Sequence, residues 1–226
     1  SGIALLSVKG KLVTVAPSFA SFCGVSRKEV IDWYRPANAG GSLLDVLNAA
    51  KLLLPDDPVS IVSVDMPVSK KPINARRVSD NIVSKKFASV GCSTHSPSSM
   101  CPSLVSEIFS QIMTENGYTL AVDGDKPRDH MFIEVYPHTA LLRLMDASYR
   151  VPYKTSKKSK YWPNVSTSER RSNLLEVWDK ILKALSLEVG DIDIPTQGPI
   201  SLKPVEDALD AVICAWVGHK FVNGKA

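Results

Sequence analysis

Read for the spacing of its apolar positions, the chain opens on two short β-type runs, Gly2 to Val8 and Lys11 to Ala16, joined by Lys9-Gly10. Two such runs around a glycine turn predict a hairpin, so the protein is expected to begin with antiparallel strands. Ser26 to Trp33 reads as a short helix, with Ser26 as N-cap and Glu29 in the capping-box position. Gly40-Gly41-Ser42 opens a stronger one, in which Leu43, Leu44, Val46, Leu47, Ala50 and Leu54 recur at helical spacing until Pro55 stops them. Val59-Ser60-Ile61-Val62-Ser63-Val64 is a β-branched run that ends at Asp65-Met66-Pro67. It predicts a buried strand with a carboxylate at its C-terminal end, where open α/β sheets place their sites.

A polar stretch rich in Lys and Arg continues to Phe87, and Ser89 to Ser103 is a Ser/Pro-rich loop. Leu104 to Asn116 predicts a helix closed by Gly117, and Met131 to Tyr136 predicts a strand closed by Pro137-His138, with helical spacing resuming through Leu144. Tyr149 to Arg171 has no periodicity and sets Lys154, Lys157, Lys158, Lys160, Arg170 and Arg171 against one acid, Glu169. It reads as a mobile basic loop inserted at 149–171. Asn173 to Leu187 is amphipathic, and Val205 to Val217 is the final helix. With no internal repeat and no dividing linker, the expectation is a single α/β domain over residues 1–226.

Composition narrows the class only slightly. With 226 residues, 44% of them hydrophobic and 22% charged, the chain has the make-up of a globular protein rather than a disordered or fibrous one. A net charge of +4 does not demand a nucleic-acid partner and does not oppose one. No apolar run has membrane length and no signal peptide leads the chain, which predicts a soluble protein with no membrane partner. The four cysteines, Cys23, Cys92, Cys101 and Cys214, show no disulfide-framework spacing, which suits a cytoplasmic location.

The candidate chemistry is centred on the last helix. Asp207 and Asp210 interrupt the apolar, alanine-rich segment that runs from Pro204 to Trp216, at a spacing that puts both on one helix face. One reading leaves them in water, with Asp207 favouring the dipole of the helix N-terminus. The other makes them metal ligands, because their neighbours leave little solvent face and a buried carboxylate pair needs a cation to answer it. Asp65 is the third candidate carboxylate, although an Asp before Met-Pro can equally cap a turn. Carboxylates gathered from distant parts of a chain suit Mg²⁺, and two such ions can clamp the attacking and leaving oxygens of a phosphodiester displacement.

Other residues carry two readings each. Glu134, an acid among large apolar residues, is either a supporting ligand or the partner of Arg76, Arg77 or Arg128. His138 is a candidate proton donor or a structural turn residue. Arg76 and Arg77 meet a phosphate or form an ion-pair network with Asp80. The loop from Tyr153 to Trp162 mixes lysines with aromatics, a combination that tracks a nucleic-acid backbone but is also common on solvated surfaces. Cys92, His95 and Cys101 share one loop, yet their spacing matches no standard zinc site and no fourth ligand is evident. No Walker loop, GxGxxG turn, GxSxG elbow or HExxH helix is present, which removes the commoner routes to nucleotide, acyl and zinc-protease chemistry.

Ser63-Val64-Asp65-Met66-Pro67, Arg76-Arg77-Val78-Ser79-Asp80, Ile133-Glu134-Val135-Tyr136-Pro137-His138 and Asp207-Ala208-Leu209-Asp210-Ala211 follow one another in an order that resembles the predicted RNase H-like nucleases of domain-of-unknown-function family 429. The resemblance spans nearly the whole chain. It implies an α/β, RNase H-like fold: a five-stranded mixed sheet flanked by helices, with the hairpin as strands two and three, Val59 to Asp65 as strand four and Met131 to Tyr136 as strand five. RuvC-type members of that superfamily draw metal ligands from strand one, the end of strand four and the closing helix, which implies Asp65, Asp207 and Asp210 here. In such folds a central strand bearing a catalytic Asp precedes the hairpin, so that strand is expected before Ser1.

The expected activity is phosphodiester hydrolysis of nucleic acid by a water activated on Mg²⁺ or Mn²⁺, without a covalent intermediate. Asp65 and Asp210 are the expected principal ligands, with Asp207 and Glu134 supporting them and His138 as a candidate proton donor. Arg76, Arg77, Lys154, Lys157, Lys158 and Lys160 are expected on the nucleic-acid phosphates. The alternative is a non-catalytic RNase H-like module that binds nucleic acid or protein through the same basic loop, since one fold hosts many functions.

Overall fold

Apolar runs that alternate between strand and helix spacing produce a mixed α/β protein in the computed structural model, which describes residues 1–37, 40–95, 104–122 and 124–225. The chain divides into two compact units, Ser1–Val59 with Pro152–His219, and Ser60–Val151 with Lys220–Ala226.

The first unit begins with the hairpin. Strands β1 (Ile3–Leu6) and β2 (Leu12–Ala16) pair antiparallel, Ile3 opposite Ala16 and Leu6 opposite Leu12, with a register shift after Leu5. Gly10 closes the turn at a φ of 74°, a left-handed conformation that glycine adopts without cost. Helix α1 spans Phe19–Ser26, because Ser18 caps it by accepting a hydrogen bond from the Ser21 N–H. The helix expected from Ser26 onward is thus displaced toward the N-terminus; Ser26 ends α1, its hydroxyl donating to the Cys23 carbonyl. Helix α2 (Leu43–Leu53) starts where expected, with Ser42 and Asp45 forming a full capping box. Leu5, Ala16, Phe22, Cys23, Val46, Ala49 and Ala50 make the core of this part.

The basic segment contains more structure than its composition suggests. A short 3₁₀ turn over Thr155–Lys157 leads into helix α3 (Lys158–Tyr161), and helix α4 runs unbroken over Thr167–Val189, starting well before Asn173. Ser166 caps α4 by accepting from the Glu169 N–H. Leu174, Trp178, Ile181, Leu182, Leu185 and Val189 give α4 its buried stripe. The last helix, α5 (Leu202–Val222), is longer at both ends than the expected Val205 to Val217. Pro204 is tolerated in its first turn, where the backbone N–H groups have no intrahelical acceptor to lose.

The second unit holds a parallel sheet in the order Ile61–Val64, Met131–Glu134, Thr119–Leu120. The central strand pairs Ile61 with Met131 through Val64 with Glu134 on one side, and Thr119 with Met131 on the other. Met131, Phe132 and Ile133 are all buried, the continuous apolar pattern of a strand covered on both faces. Helices Val78–Phe87, Leu104–Glu115 and Pro137–Leu144 surround it in sequence. The first of these lies in the stretch read only as polar, and the two-residue strand at Thr119 was too short to register as a pattern. Phe109 meets Phe132 edge to face, with ring centroids 5.7 Å apart. Among the described residues the strands form a pair and a triplet, and a five-stranded sheet is not among them. None of the described helices is long and apolar enough to cross a membrane.

Candidate functional site

Helix α5 carries three carboxylates on adjacent turns. Glu206 and Asp210 are four residues apart, Asp207 lies between them, and each offers an oxygen within 4.8 Å of the others'. Glu206 is 3% exposed and Asp210 7%, while Asp207 is half-buried. Burying two charged carboxylates this deeply requires compensation on the same scale.

The compensation comes from the segment before α3 and from α5 itself. The Tyr153 hydroxyl donates to Asp210 Oδ1 at 2.7 Å, and Lys154 Nζ donates to Asp210 Oδ2 while lying 3.8 Å from Glu206 Oε1. The Thr155 N–H donates to Glu206 Oε2. From the other side Lys203 Nζ reaches Glu206 Oε1 at 3.1 Å and also bonds Asp207 Oδ1. Tyr153 is fully buried, and its carbonyl accepts the indole N–H of Trp178 at 2.8 Å, which fixes the segment to α4. Lys154 Nζ also lies 4.7 Å from the centre of the Tyr153 ring.

These contacts push the two buried acids in opposite directions. Burial raises Asp210 above the ordinary carboxylate value, and Lys154 and Tyr153 only partly oppose it. Burial also acts to raise Glu206, but the Thr155 N–H with Lys154 and Lys203 outweighs it and the net shift is downward. Lys203 loses some solvent, which alone would lower it, yet Asp207 and Glu206 hold it above the usual ammonium range. Three carboxylates facing two ammonium groups leave one formal negative charge over, and the donor set is oxygen only. That chemistry fits a hard divalent cation, provided an ammonium gives way.

In the second unit Asp65 is exposed directly after the Ile61–Val64 strand, at its C-terminal end as the sequence predicts. Glu134 ends the Met131–Glu134 strand and is gripped by Arg77, whose two terminal nitrogens reach Oε2 at 2.6 Å and Oε1 at 2.7 Å. The same guanidinium holds the buried Asp80 at 2.9 and 2.8 Å and donates to the Val68 carbonyl. Its donors therefore serve an internal network, and a phosphate would have to compete with two carboxylates. Arg76 is likewise engaged, with Asn81 Oδ1, Ser84 Oγ and the carbonyls of Asp80 and Thr94. His138 is buried in the first turn of the Pro137–Leu144 helix, and Arg150 donates to its Nε2. Because a guanidinium has only donors, that nitrogen accepts, which puts the proton of the neutral ring on Nδ1.

Of the four candidate lysines, Lys154 points inward as the counter-ion of Asp210, Lys158 is half-buried, and Lys157 and Lys160 are exposed. Cys92 is buried beside the Val90 and His138 carbonyls, burial holds its thiol protonated above the usual range, and Cys101 lies outside the described residues. Glu206 and Lys203 are members of the acidic site that the sequence does not single out, and Tyr153 stands out there only as one end of the loop that mixes lysines with aromatics. The signal for Glu206 was its i,i+4 spacing to Asp210 within an apolar stretch, a stronger face relation than the Asp207–Asp210 spacing alone. Tyr153 and Lys154 carried no such signal, since their contact with α5 spans more than fifty residues of sequence.

A mixed α/β chain whose closing helix bears a compensated cluster of acids is the class of protein that fold and site define. The family model for "Protein of unknown function (DUF429)" matches residues 30–226, and the chain belongs to that family. No curated protein and no solved structure matches it.

Proposed function

We propose that the protein is a divalent-metal-dependent nuclease of the RNase H-like class, hydrolysing phosphodiester bonds of nucleic acid. The observation that carries the reading is the carboxylate triad of α5, Glu206, Asp207 and Asp210, with ligand oxygens within 4.8 Å of one another. Their oxygen-only chemistry favours Mg²⁺ or Mn²⁺. Such an ion supplies an activated water and stabilises the charge that builds on the phosphoryl oxygens. The residues of the chain have separable tasks. Tyr153 and Lys154 orient Asp210, the Thr155 N–H orients Glu206, and the exposed Lys157 and Lys160 are the cations free to meet a nucleic-acid backbone. Asp65 enters the proposal from the sequence, as the carboxylate directly after the Ile61–Val64 strand and as the ligand that the family resemblance implies.

The test is digestion of a panel of single-stranded, duplex, hybrid and branched nucleic acids with Mn²⁺ by the wild-type chain and by Asp207→Asn, Asp210→Asn and Asp65→Asn. Loss of at least about 100-fold in rate is expected for either α5 variant, the scale of removing a group that acts on the transition state. Equal rates in wild type and Asp207→Asn together with Asp210→Asn would sink the proposal. A second reading, a non-catalytic module binding nucleic acid, is favoured by one observation: Lys154 already answers Asp210 and Glu206 without an ion. Salt-sensitive binding of the same panel with no cleavage in Mn²⁺ would select it.

A further inference from the structure

The two lysines at the acidic site are held very differently. Lys154 is 18% exposed along its side chain, donates to Asp210 Oδ2, lies against the Tyr153 ring, and sits between a carbonyl bonded to Trp178 and an N–H bonded to Glu206. Lys203 belongs to α5 itself, three and four residues before the acids it touches, and its side chain is 64% exposed. Withdrawing Lys154 would strand a charge inside the protein. Withdrawing Lys203 takes only rotations of a flexible stem that is 64% exposed, and the ion that replaces it must then answer Glu206, whose side chain is 4% exposed.

We infer that Lys203 is a cation gate: its ammonium competes with a divalent ion for the Glu206 and Asp207 oxygens and swings out when the ion binds, while Lys154 remains as a fixed counter-ion. The inference rests on the metal-site reading above and assigns the two lysines opposite roles within it. Lys203 bridges Asp207 Oδ1 and Glu206 Oε1, and Asp207, with 25% of its side chain exposed, is the most outward acid of the cluster, whereas Asp210 uses its two oxygens on Tyr153 and Lys154. Any ion that takes those donors meets the Lys203 charge at contact distance, so the gate lowers affinity and makes loading depend on free metal concentration.

The experiment is a Mn²⁺ titration of the full chain at fixed pH and ionic strength, read by the electron paramagnetic resonance signal of free Mn²⁺ rather than by activity. Lys203→Ala is expected to bind Mn²⁺ about 5- to 10-fold more tightly than wild type, the effect of deleting one competing charge beside the ion. Lys203→Arg, which keeps the charge, is expected within about twofold of wild type, and Asp207→Asn weaker than either. Equal affinity of wild type and Lys203→Ala overturns the gate but leaves the metal site standing. Tighter binding by Lys203→Arg as well as Lys203→Ala also overturns it, because the charge would then not be the cause. No Mn²⁺ binding by wild type or Lys203→Ala overturns the metal reading, and the gate with it.

Discussion

Removing the Lys154 ammonium leaves Asp210 and Glu206 buried on one face of α5, answered among the described residues by the Tyr153 hydroxyl, the Thr155 N–H and the outer Lys203. Breaking a buried pair from one side costs about 3 to 5 kcal/mol, because the surviving charge is stranded rather than merely unpaired. Lys154→Met is therefore expected to lower the unfolding free energy measured in urea by an amount in that range, whereas Lys157→Met, at an exposed neighbour, should stay within about 0.5 kcal/mol of wild type. Adding Asp210→Asn to Lys154→Met removes the stranded charge, so the double variant should recover part of the loss, with a coupling of about 1 to 3 kcal/mol. Strict additivity in that cycle would mean the pair does not interact. The same logic explains why a lysine drawn from a basic run was misplaced by sequence reading. Its neighbours Lys157 and Lys160 are surface charges, and only the fully buried Tyr153 beside it marks the point where the chain turns inward.

Elements were legible where local chemistry decided them and obscure where distant contacts did. The hairpin, α2, the Leu104–Glu115 helix and the Pro137–Leu144 helix all carry their signals within a few residues: a positive-φ glycine, a Ser-Asp capping box, a closing Gly117, and a proline in the first turn. The Val78–Phe87 helix does not, because its face is polar and its start is held by Arg77 and Asp80, with Arg77 reaching Glu134 fifty-seven residues away. Helix α4 was legible but overlooked at its start, since Ser166-Thr167-Ser168-Glu169 is a capping-box pattern hidden among cations. That cap is testable by itself. Ser166→Ala removes the acceptor for the Glu169 N–H, a contact of 3.2 Å, and should cost about 1 kcal/mol in denaturant unfolding, with Ser166→Asp recovering most of it. No change in either variant would show that α4 is held by its buried stripe alone. On the site itself, Asp207 and Asp210 were visible as acids on an apolar helix, but which side of them faces cations is a property of tertiary packing.

At the scale of the whole molecule, the opposed shifts of Glu206 and Asp210 make stability depend on pH in a way that can be separated by mutation. Glu206 is lowered from an ordinary value of 4.5, so the unfolded chain takes up its proton first as pH falls, and the stabilisation it provides at neutral pH is lost as pH drops through its folded value. The exposed Asp32, Asp45 and Glu176 are lowered too and act with the same sign. Asp210 is raised from 3.8, so the folded protein binds its proton more tightly than the unfolded chain does. Its contribution therefore becomes more favourable as pH falls from its folded value toward 3.8, and partly offsets the loss at Glu206. Asp210→Asn deletes that offset and should make the acid fall of stability steeper, whereas Glu206→Gln should make it shallower. Urea unfolding of the three proteins at half-unit intervals from pH 7 to pH 3 measures both slopes, since the slope of stability with pH counts the difference in bound protons directly. Parallel curves for wild type and Asp210→Asn would mean that burial does not set the Asp210 proton affinity, and that Lys154 neutralises it fully in the folded protein.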